Sequence, residues 1–392
     1  MHIPKKANSD PPAGRFAILG LMKAVAAFPG KRDIRVIDHP EPRIERSTDV
    51  KVRMLDVGVC GTDKEIAHFD YGTPPVGSEY LVIGHESLSE VIEAGPAVKG
   101  FDKGDLVVMT VRRPCPHPEC MACRVGRQDF CYTGDFTERG IKQHHGYMTE
   151  FVVEDAQYLH KAPAGMRDIA VLTEPLTIAE KALTQLFQVQ ARLPWACPAE
   201  PGRVAKGCDH AVVLGAGPVG LLGAMALALH GFEVTVYSRS PEGGEQQDIV
   251  KAIGARYVAA ETNSVDDLVR QVGSIDVVYE AIGASSVAFD VIRRLGTNGV
   301  FIFTGVPGRK EPIPVDTDLI MRDMVLKNQL IFGTVNAPPE AFETAIADLA
   351  EFRKRWPDAV SKLITKRYPI DGAIPLLQGK AGGIKNVVAV GA

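Results

Sequence analysis

The chain has 392 residues, 45% of them hydrophobic and 23% charged, and this length accommodates two domains with separate cores. The formal net charge of −4 and the lack of long lysine and arginine clusters argue against a nucleic-acid-binding protein. Because no apolar stretch reaches the roughly 20 residues that cross a bilayer, we expect no membrane span.

The first 21 residues contain two lysines and a short apolar run, AILGL, which leads into the strand-like KAVAAF. A secretory signal would instead place a cleavage site of small residues after its apolar run. We therefore predict that residues 1–21 form a flexible extension, unless translation starts at Met22, and we expect a cytoplasmic protein.

Up to about residue 155, short β-like runs alternate with glycine and proline, which predicts an irregular β-rich domain. Examples are Lys51–Val59, Leu106–Met109 and Tyr147–Val153. Apolar side chains then recur with helical periodicity over Glu174–Gln190, which predicts a helix. Residues 193–209 are rich in proline and predict a loop.

The pattern changes at Ala211, where apolar strands and helices begin to alternate. The segments are AVVLGAG, PVGLLGAMALALHG, FEVTVYS, IVKAIGA, YVA, IDVVYEAIG and GVFIFTGV, and the first helix ends at Gly231, a typical C-terminal stop. Such alternation predicts a doubly wound parallel sheet of the α/β class. Beyond about Val335 the pattern predicts a helix over Pro339–Phe352 and a last strand, NVVAV.

A glycine-rich turn joins the first strand and helix of this α/β region and matches the pattern G-x-G-x-x-G. Its glycines allow a tight turn and a close approach of the backbone to a pyrophosphate, and the helix N-terminus offers N–H groups to phosphates. The pattern predicts a dinucleotide site, and a glycine turn without a ligand is the alternative. The cofactor-binding positions are Gly215, Gly217, Pro218, Val219 and Gly220.

The end of the second strand indicates which nicotinamide cofactor binds. NAD-specific sites usually place Asp or Glu there to hold the ribose 2′-hydroxyl, but this chain has Tyr237, Ser238, Arg239 and Ser240. Arg239 is able to pair with a 2′-phosphate, and no carboxylate repels that phosphate. We therefore predict a preference for NADP, with NAD as a second cofactor. In the alternative, Arg239 is a solvated loop charge.

Four of the seven cysteines crowd into 17 residues, in the pattern C-x4-C-x2-C-x7-C. An odd total with one cluster indicates metal ligation in a reducing compartment more than a disulfide framework. Four thiolates suit a closed tetrahedral zinc site, here built from Cys115, Cys120, Cys123 and Cys131. Because the first gap is wider than usual, His117 within it is an alternative ligand.

A second set of residues with zinc-ligand chemistry is dispersed over the segments Cys60-Gly61-Thr62-Asp63, Gly84-His85-Glu86 and Glu174-Pro175. Cysteine, histidine and carboxylate side chains all bind zinc, and a site with three protein ligands keeps one position open for a substrate. Each of these residues by itself is more often a packed residue. The order of the segments is the informative feature.

Taken in order, these segments, the four-cysteine lobe and the glycine turn resemble the zinc-dependent medium-chain dehydrogenase/reductase superfamily, from about Met22 to the C-terminus. Short stretches are similar to its glucose dehydrogenase branch: VRRPC, GRQDFC, DFTERG, GYMTEF, EPLTIAEK and GTVN. The resemblance implies a GroES-like β-rich catalytic domain over residues 22–184, completed by residues 336–392, and a Rossmann doubly wound parallel-sheet domain over residues 185–335.

The resemblance also implies roles for single residues. Cys60, His85 and Glu174 match the ligands of a catalytic zinc ion, and Glu86 matches a residue that enters the coordination shell during turnover. Asp63 matches a carboxylate that orients the histidine ligand. With a structural zinc ion in the four-cysteine lobe, two zinc ions are expected per chain.

Glu138 and Asn336 match positions that hydrogen-bond sugar hydroxyls, and Glu174 belongs to the same substrate-binding group. The alternatives are a solvated loop carboxylate for Glu138 and a turn or capping residue for Asn336. Two positions depart from the branch: Val111 stands where some members place a sugar-contacting asparagine, and Ile178 where some place an aspartate. Both departures bear on which sugar is preferred more than on polyol chemistry.

The leading hypothesis is the zinc-dependent oxidation of an aldose, glucose or a related sugar, at C1 to the lactone, with hydride transfer to NAD(P). Zinc lowers the pKa of a bound hydroxyl, and Thr62, two residues after Cys60, is placed to take the proton. In the alternative, Thr62 is a turn threonine bonded to the backbone. Competing hypotheses are a polyol, threonine or secondary-alcohol dehydrogenase of the same superfamily and a non-catalytic nucleotide-binding protein.

Four further residues receive no role, although their side chains are reactive. The paired His144 and His145 are predicted to lie at the surface, and Cys197 and Cys208 to be spare thiols in a loop. For the whole protein we expect a homo-oligomer, either a dimer or a tetramer.

Overall fold

A computed structural model describes residues 20–194, 209–308, 311–379 and 381–391. The predicted extension therefore lies outside the described residues except for Gly20 and Leu21, and Leu21 already belongs to the first strand. Cys197 and Cys208, with most of the predicted loop, also lie outside them. Within the described ranges, no helix is long and apolar enough to cross a membrane.

The first part of the structure is rich in short strands, as predicted. Its helices are α1 (Gly61–Ala67), α2 (Met121–Arg124) and α3 (Thr173–Gln190). Its strands are β1 (Leu21–Phe28), β2 (Asp33–Pro40), β3 (Asp49–Val59), β4 (Leu81–Val82), β5 (Glu86–Ala94), β6 (Leu106–Met109), β7 (Arg112–Arg113), β8 (Thr137–Arg139), β9 (Gln143–His144), β10 (Phe151–Asp155) and β11 (Leu159–Ala162).

The second part alternates strands and helices and forms a six-stranded sheet. Its strands are β12 (His210–Leu214), β13 (Glu233–Ser238), β14 (Arg256–Ala259), β15 (Val277–Glu280), β16 (Val300–Phe303) and β17 (Leu330–Gly333). Its helices are α4 (Pro218–Leu229), α5 (Glu245–Ala252), α6 (Val265–Val272), α7 (Ser285–Ile292) and α8 (Thr317–Leu326).

All neighbouring strands of this sheet run parallel, in the order β14-β13-β12-β15-β16-β17. This order confirms the doubly wound sheet predicted from the sequence. The sequence pattern does not predict β17, which is a short and mostly half-buried edge strand. Because the strand order reverses between β12 and β15, a crevice opens outside the carboxyl ends of these strands, where ligands bind in such sheets.

The last segment returns to the β-rich part. Its elements are α9 (Pro339–Arg355), α10 (Pro357–Lys362), β18 (Ile364–Pro369), α11 (Ala373–Gln378) and β19 (Lys385–Ala389). Strand β19 pairs antiparallel with β3, with Asn386 opposite Val59. The largest sheet, in the order β11-β6-β5-β3-β19-β18 with β10 paired to β3, thus combines strands of the first part with strands of the last segment. This pairing places Lys385 beside the residue that follows β3, Cys60.

Helix α3 connects the two parts. It begins one residue before the predicted helix and runs without a break through residues 184 and 185, where the sequence places the domain boundary. It packs against α4 and α9, and its buried Leu176 and Leu183 join one apolar core with Leu88 of β5 and Val213 of β12. The two parts therefore share a continuous core, which fixes the position of the sheet relative to β3.

The packing of α4 on the sheet generates a stability prediction. A Cβ atom at Gly223 of α4 would lie 2.4 Å from a ring carbon of the buried Tyr279. Overpacking typically costs about 1–3 kcal/mol, and a contact this short with a buried ring belongs to the upper part of that range, about 2–3 kcal/mol. Alanine gains roughly 1 kcal/mol over glycine in a helix, which offsets part of this cost. We expect Gly223→Ala to lower the free energy of unfolding by about 1–2 kcal/mol, measured by urea denaturation.

The control is Gly165→Ala, because a Cβ atom at Gly165 meets nothing within 4 Å. Its free energy of unfolding should change by less than about 0.5 kcal/mol. A Gly223→Ala protein as stable as the control would contradict the close contact between α4 and β15.

Candidate active site

The candidate metal site forms where β3 ends. Cys60 directly follows β3 and is the N-cap of α1. Strand β5 pairs antiparallel with β3 and begins at Glu86, which lies opposite Gly58. His85 precedes Glu86, so the pairing of two strands brings residues 25 positions apart in the chain to one place.

Three of the predicted site residues form a compact group. Cys60, His85 and Glu86 each offer one donor atom, and the three atoms lie within 4.8 Å of one another. Cys60 Sγ lies 3.2 Å from His85 Nε2. His85 and Glu86 are buried, and Cys60 is half-buried. A thiolate, an imidazole and a carboxylate are a donor set that zinc accepts, so these residues fit the metal expected from the sequence.

Asp63 orients His85. Asp63 Oδ1 lies 3.5 Å from His85 Nδ1, and Asp63 Oδ2 accepts a 2.9 Å hydrogen bond from the backbone N–H of Cys60. Burial favours the neutral imidazole, but the charges of Cys60 and Asp63 outweigh it and hold the pKa of His85 well above its usual range. Asp63 thus lies on the Nδ1 side of the ring and Cys60 on the Nε2 side, an arrangement in which a carboxylate supports a metal-bound histidine.

Glu174 borders the site without joining the compact group. It lies in the first turn of α3. Burial, together with the charge of Glu86, raises the pKa of its carboxyl group to about 7, although the charge of His85 opposes this shift. The structure thus places Glu86 nearer than Glu174 to the other two donors, and the role of Glu174 as a ligand stays a prediction.

A buried lysine completes the site. Lys385, the first residue of β19, is 1% exposed and forms an ion pair with Glu86. A Cβ atom at Gly58 would lie 1.9 Å from Glu86 Oε2 and 3.0 Å from Lys385 Cε, so this pair requires glycine at that position of β3. Sequence analysis missed Lys385. The one local indication of its role is that it directly precedes the apolar strand NVVAV.

The two predicted sugar-binding residues contact each other across 198 positions of the chain. Asn336 Nδ2 donates a 2.9 Å hydrogen bond to Glu138 Oε1. Arg112 donates to the same oxygen through Nε at 3.0 Å and lies 2.9 Å from it through a terminal nitrogen. Glu138 is buried in β8, so the alternative of a solvated loop carboxylate is wrong.

Asn336 also fits its alternative as a turn residue. Its φ is +60°, and its Oδ1 accepts a 2.9 Å hydrogen bond from the backbone N–H of Ala337. Arg112 is a residue that sequence analysis missed, although it lies inside the stretch VRRPC. Its guanidinium also stacks on Phe136, 3.7 Å from the ring centre. Arg112 and Asn336 therefore both hold Glu138 through its Oε1 atom.

Tyr71 lies within range of the charges of both this polar group and the metal site. Burial raises the pKa of its phenol, and the charges of Glu138, Arg112 and His85 all act on it. Thr62, predicted to carry a proton, is half-buried in the first turn of α1 beside Cys60, and its role stays a prediction.

The predicted surface position of His144 and His145 is wrong, because both are half-buried. Burial, and after it the positive charge of nearby groups such as Arg139, lowers the pKa of His144 to about 3 and that of His145 to about 4. His145 Nδ1 accepts a 3.1 Å hydrogen bond from the Val82 backbone, and its ring stacks on Tyr80 at 5.2 Å. These contacts hold the His145 ring against Val82 and Tyr80 instead of leaving it in solvent.

The carboxyl edge of the parallel sheet faces the β-rich part of the chain. A cavity of about 330 Å³ is lined there by Phe303 to Pro307 at the end of β16, Gly333 to Val335 at the end of β17, and Phe130 of the β-rich part. Lys181 of α3 lies beside it and donates a 2.9 Å hydrogen bond to the carbonyl of Val335. This bond fixes the backbone immediately before Asn336.

The glycine turn has the geometry that a dinucleotide site requires. Gly215 has a φ of +106°, which favours glycine. A Cβ atom at Gly220 would lie 2.2 Å from the carbonyl oxygen of Gly215, so the helix packs tightly on the turn, whereas a Cβ atom at Gly217 would meet nothing within 4 Å. Pro218 is the first residue of α4, followed by Val219. The N-terminus of α4 is therefore open to a phosphate group.

At the end of β13, the structure gives the predicted cofactor-selecting residues different surroundings. Ser238 is buried, and its hydroxyl accepts a 3.3 Å hydrogen bond from the Ser240 backbone. Arg239 is exposed just beyond the strand. An exposed guanidinium at the carboxyl edge of the sheet is compatible with the predicted contact to a 2′-phosphate and with the alternative of a solvated charge.

The four cysteines of the predicted lobe converge. Their sulfur atoms lie within 4.8 Å of one another, with Cys120 Sγ 3.9 Å from Cys131 Sγ, and none forms a disulfide. Burial opposes ionisation of Cys131, but hydrogen bonds from Thr133 and Gly134 lower the pKa of its thiol to about 6. The donor set fits a closed zinc site. His117 instead contacts Asp135, at 2.8 Å, so the alternative ligand is not part of this group.

The lobe geometry predicts which side chains hold its zinc ion. Cys120→Ser should remove one zinc ion per chain and lower the melting temperature, because a closed zinc site stabilises the fold that forms it. His117→Ala should change neither quantity. Metal analysis and thermal unfolding measure both, and loss of zinc in His117→Ala would contradict the assignment of four cysteine ligands.

Comparisons with known proteins place the chain among dehydrogenases. A glucose 1-dehydrogenase of Methanocella arvoryzae is 40% identical over 372 residues, covering 95% of this chain and all of that protein. Glucose 1-dehydrogenase 1 of Vulcanisaeta moutnovskia is 38% identical, covering 89% of this chain and 94% of its own. A solved structure of Haloferax mediterranei glucose dehydrogenase, in complex with NADP, Zn and gluconolactone, has a TM-score of 0.83 and 31% identity over 95% of this chain and all of that one.

Two family models match consecutive parts of the sequence. The alcohol dehydrogenase GroES-like domain matches residues 46–164, and the glucose dehydrogenase C-terminus matches residues 167–390. Together they cover the β-rich part from residue 46 onward, the parallel sheet and the returning segment. The chain belongs to the glucose dehydrogenase branch of the zinc-dependent medium-chain dehydrogenase/reductase superfamily.

Proposed function

We propose that this protein is a zinc-dependent aldose 1-dehydrogenase that oxidises glucose or a related sugar at C1 to the lactone, with hydride transfer to NADP in preference to NAD. The observation that carries this proposal is the group of Cys60, His85 and Glu86, whose donor atoms lie within 4.8 Å of one another. The family membership and the named activity of the relatives, glucose 1-dehydrogenase, support it. The product-like gluconolactone in the Haloferax structure supports the choice of C1.

Bound zinc would act as a Lewis acid that lowers the pKa of a sugar hydroxyl, and the nicotinamide would accept the hydride. Cys60 and His85 would hold the metal together with a carboxylate, Glu86 or Glu174. Asp63 keeps the imidazole in the orientation needed for this. Lys385 balances the charge of Glu86 while that carboxylate is not bound to a metal.

The remaining residues handle the sugar. Among the described residues, the contacts of Glu138 to Arg112 and Asn336 fall on Oε1. Oε2 is then available to accept hydrogen bonds from sugar hydroxyls. Thr62, beside Cys60, would take the proton of the reacting hydroxyl and pass it outward. Val111 is buried and Ile178 is half-buried. Because neither side chain offers a polar group to the sugar, Glu138 and Asn336 would determine which aldose is preferred.

The glycine turn would bind the pyrophosphate of the cofactor through Gly215, Gly217 and Gly220 at the N-terminus of α4. Arg239 would pair with the 2′-phosphate of NADP. We further propose a homo-oligomer, a dimer or a tetramer, which size-exclusion chromatography with light scattering would measure. Mass at the monomer value of 42.3 kDa would exclude it.

Initial rates across substrates test the proposed reaction. We expect oxidation of aldoses with NADP, and slower oxidation with NAD. Activity with polyols, threonine or secondary alcohols and none with aldoses would assign the protein to another reaction of the superfamily. No activity with any of these substrates in a zinc-loaded protein would favour a non-catalytic nucleotide-binding protein.

The metal assignment predicts the effect of a single substitution. Cys60→Ala should reduce turnover to the background rate, because it removes a ligand of the metal that activates the hydroxyl. The protein should stay folded and bind nucleotide, since the glycine turn lies in the parallel-sheet part. Turnover is followed by the absorbance of the reduced nicotinamide, and substantial activity in Cys60→Ala would refute the assignment.

The cofactor assignment predicts a selective loss of affinity. A charge-assisted contact contributes about 1.5–3 kcal/mol, so Arg239→Ala should weaken NADP binding by roughly 10- to 100-fold and leave NAD binding within about twofold. The control is Arg256→Ala, because Arg256 is exposed at the amino end of β14, on the opposite edge of the sheet. Equal effects of Arg239→Ala on both nucleotides, measured by calorimetry, would show that Arg239 does not read the 2′-phosphate.

A further inference from the structure

Three helices meet at a second group of ionisable side chains, outside the candidate active site. Glu180 belongs to α3, His230 directly follows α4, and Asp348 belongs to α9. Each offers one donor atom, and the three atoms lie within 4.8 Å of one another. His230 Nε2 lies 3.0 Å from Asp348 Oδ2.

This group is buried and holds an unsatisfied oxygen. Glu180 is 2% exposed and Asp348 8% exposed. Glu180 Oε1 has no hydrogen-bond partner among the described residues. Two carboxyl groups that face each other out of water repel when both are ionised, so a cation must lie between them, either a proton or a metal ion.

The spacing of the donors suits a metal ion. Two ligands that are each about 2.1 Å from one zinc ion lie about 3.0–3.4 Å apart. The 3.0 Å separation between His230 Nε2 and Asp348 Oδ2 is that of a hydrogen bond and also falls at the lower end of this interval, so a zinc ion needs only a small movement of the two side chains. In the candidate active site, Cys60 Sγ and His85 Nε2 show a similar separation, 3.2 Å.

We propose that Glu180, His230 and Asp348 form a third metal site, which takes a zinc ion through one imidazole nitrogen and two carboxylate oxygens. One nitrogen and two oxygen ligands are chemistry that zinc accepts, with water in the fourth position. The site serves stability, because its three ligands tie together α3, the residue that follows α4, and α9.

The positions of the three helices explain why a metal ion that links them would matter. Helix α3 starts at the candidate metal site with Glu174, α4 starts at the glycine turn, and α9 starts three residues after Asn336. A metal ion between Glu180, His230 and Asp348 would hold the cofactor-binding helix against the two helices that position substrate-facing residues. The competing occupant is a proton shared between the two carboxyl groups.

Zinc content of the purified protein tests the proposal. After dialysis against metal-free buffer, His230→Gln and Glu180→Gln should each hold one zinc ion per chain less than the unsubstituted protein. The matched control is His210→Gln: His210 Nε2 also lies 3.0 Å from a carboxylate, that of Glu233, and its Nδ1 lies 3.8 Å from Asp276. This control should keep the full zinc content.

Equal zinc content in the unsubstituted protein, His230→Gln and Glu180→Gln would overturn the proposal and assign the group to a shared proton. Should both variants fail to fold, Cys60→Ala combined with Cys120→Ser decides instead. A zinc ion that remains in this double variant supports the third site, and its absence overturns it. Because the readout is zinc content, the result does not depend on the substrate proposed above.

Discussion

Cys60, Asp63, His85, Glu86 and Lys385 carry ionisable groups in a place that water barely reaches. Burying such groups costs several kcal/mol each unless opposite charges meet them. The ion pair of Lys385 with Glu86 and the contact of Asp63 with His85 supply part of this compensation. A divalent ion among Cys60, His85 and a neighbouring carboxylate would supply the rest. Because metal binding would remove this unfavourable free energy of burial, the arrangement favours a bound metal ion.

The position of this site depends on pairing between distant strands. Strand β3 is flanked by β5 on one side and β19 on the other, and each neighbour delivers one member of the ion pair. Gly58 leaves the room in which Glu86 and Lys385 meet. Helix α3 then continues from this site into the core shared with the parallel sheet, so the geometry of the metal group and that of the cofactor crevice are set by one rigid element.

Features with local causes were predictable from the sequence. The glycine turn at Gly215 needs a positive φ and close packing within six residues, and both leave a mark in the amino-acid order. The four cysteines that converge lie within 17 residues of one another in the chain. The parallel strands are buried on both faces and therefore read as continuous apolar runs, whereas β17, a short and mostly half-buried edge strand, has a weaker pattern and was missed.

Features with non-local causes were not predictable in the same way. Lys385, Arg112 and the group of Glu180, His230 and Asp348 acquire partners only when segments far apart in the chain fold together, and a single charged residue has no periodicity to announce its burial. The sequence by itself determined the types of chemistry available, namely zinc donors and a dinucleotide turn, because these depend on residue identity and short spacing. Only the tertiary structure decided that Glu86 lies nearer than Glu174 to Cys60 and His85, and that Glu138 meets Asn336, because strand pairing and helix packing set distances that spacing along a chain does not contain.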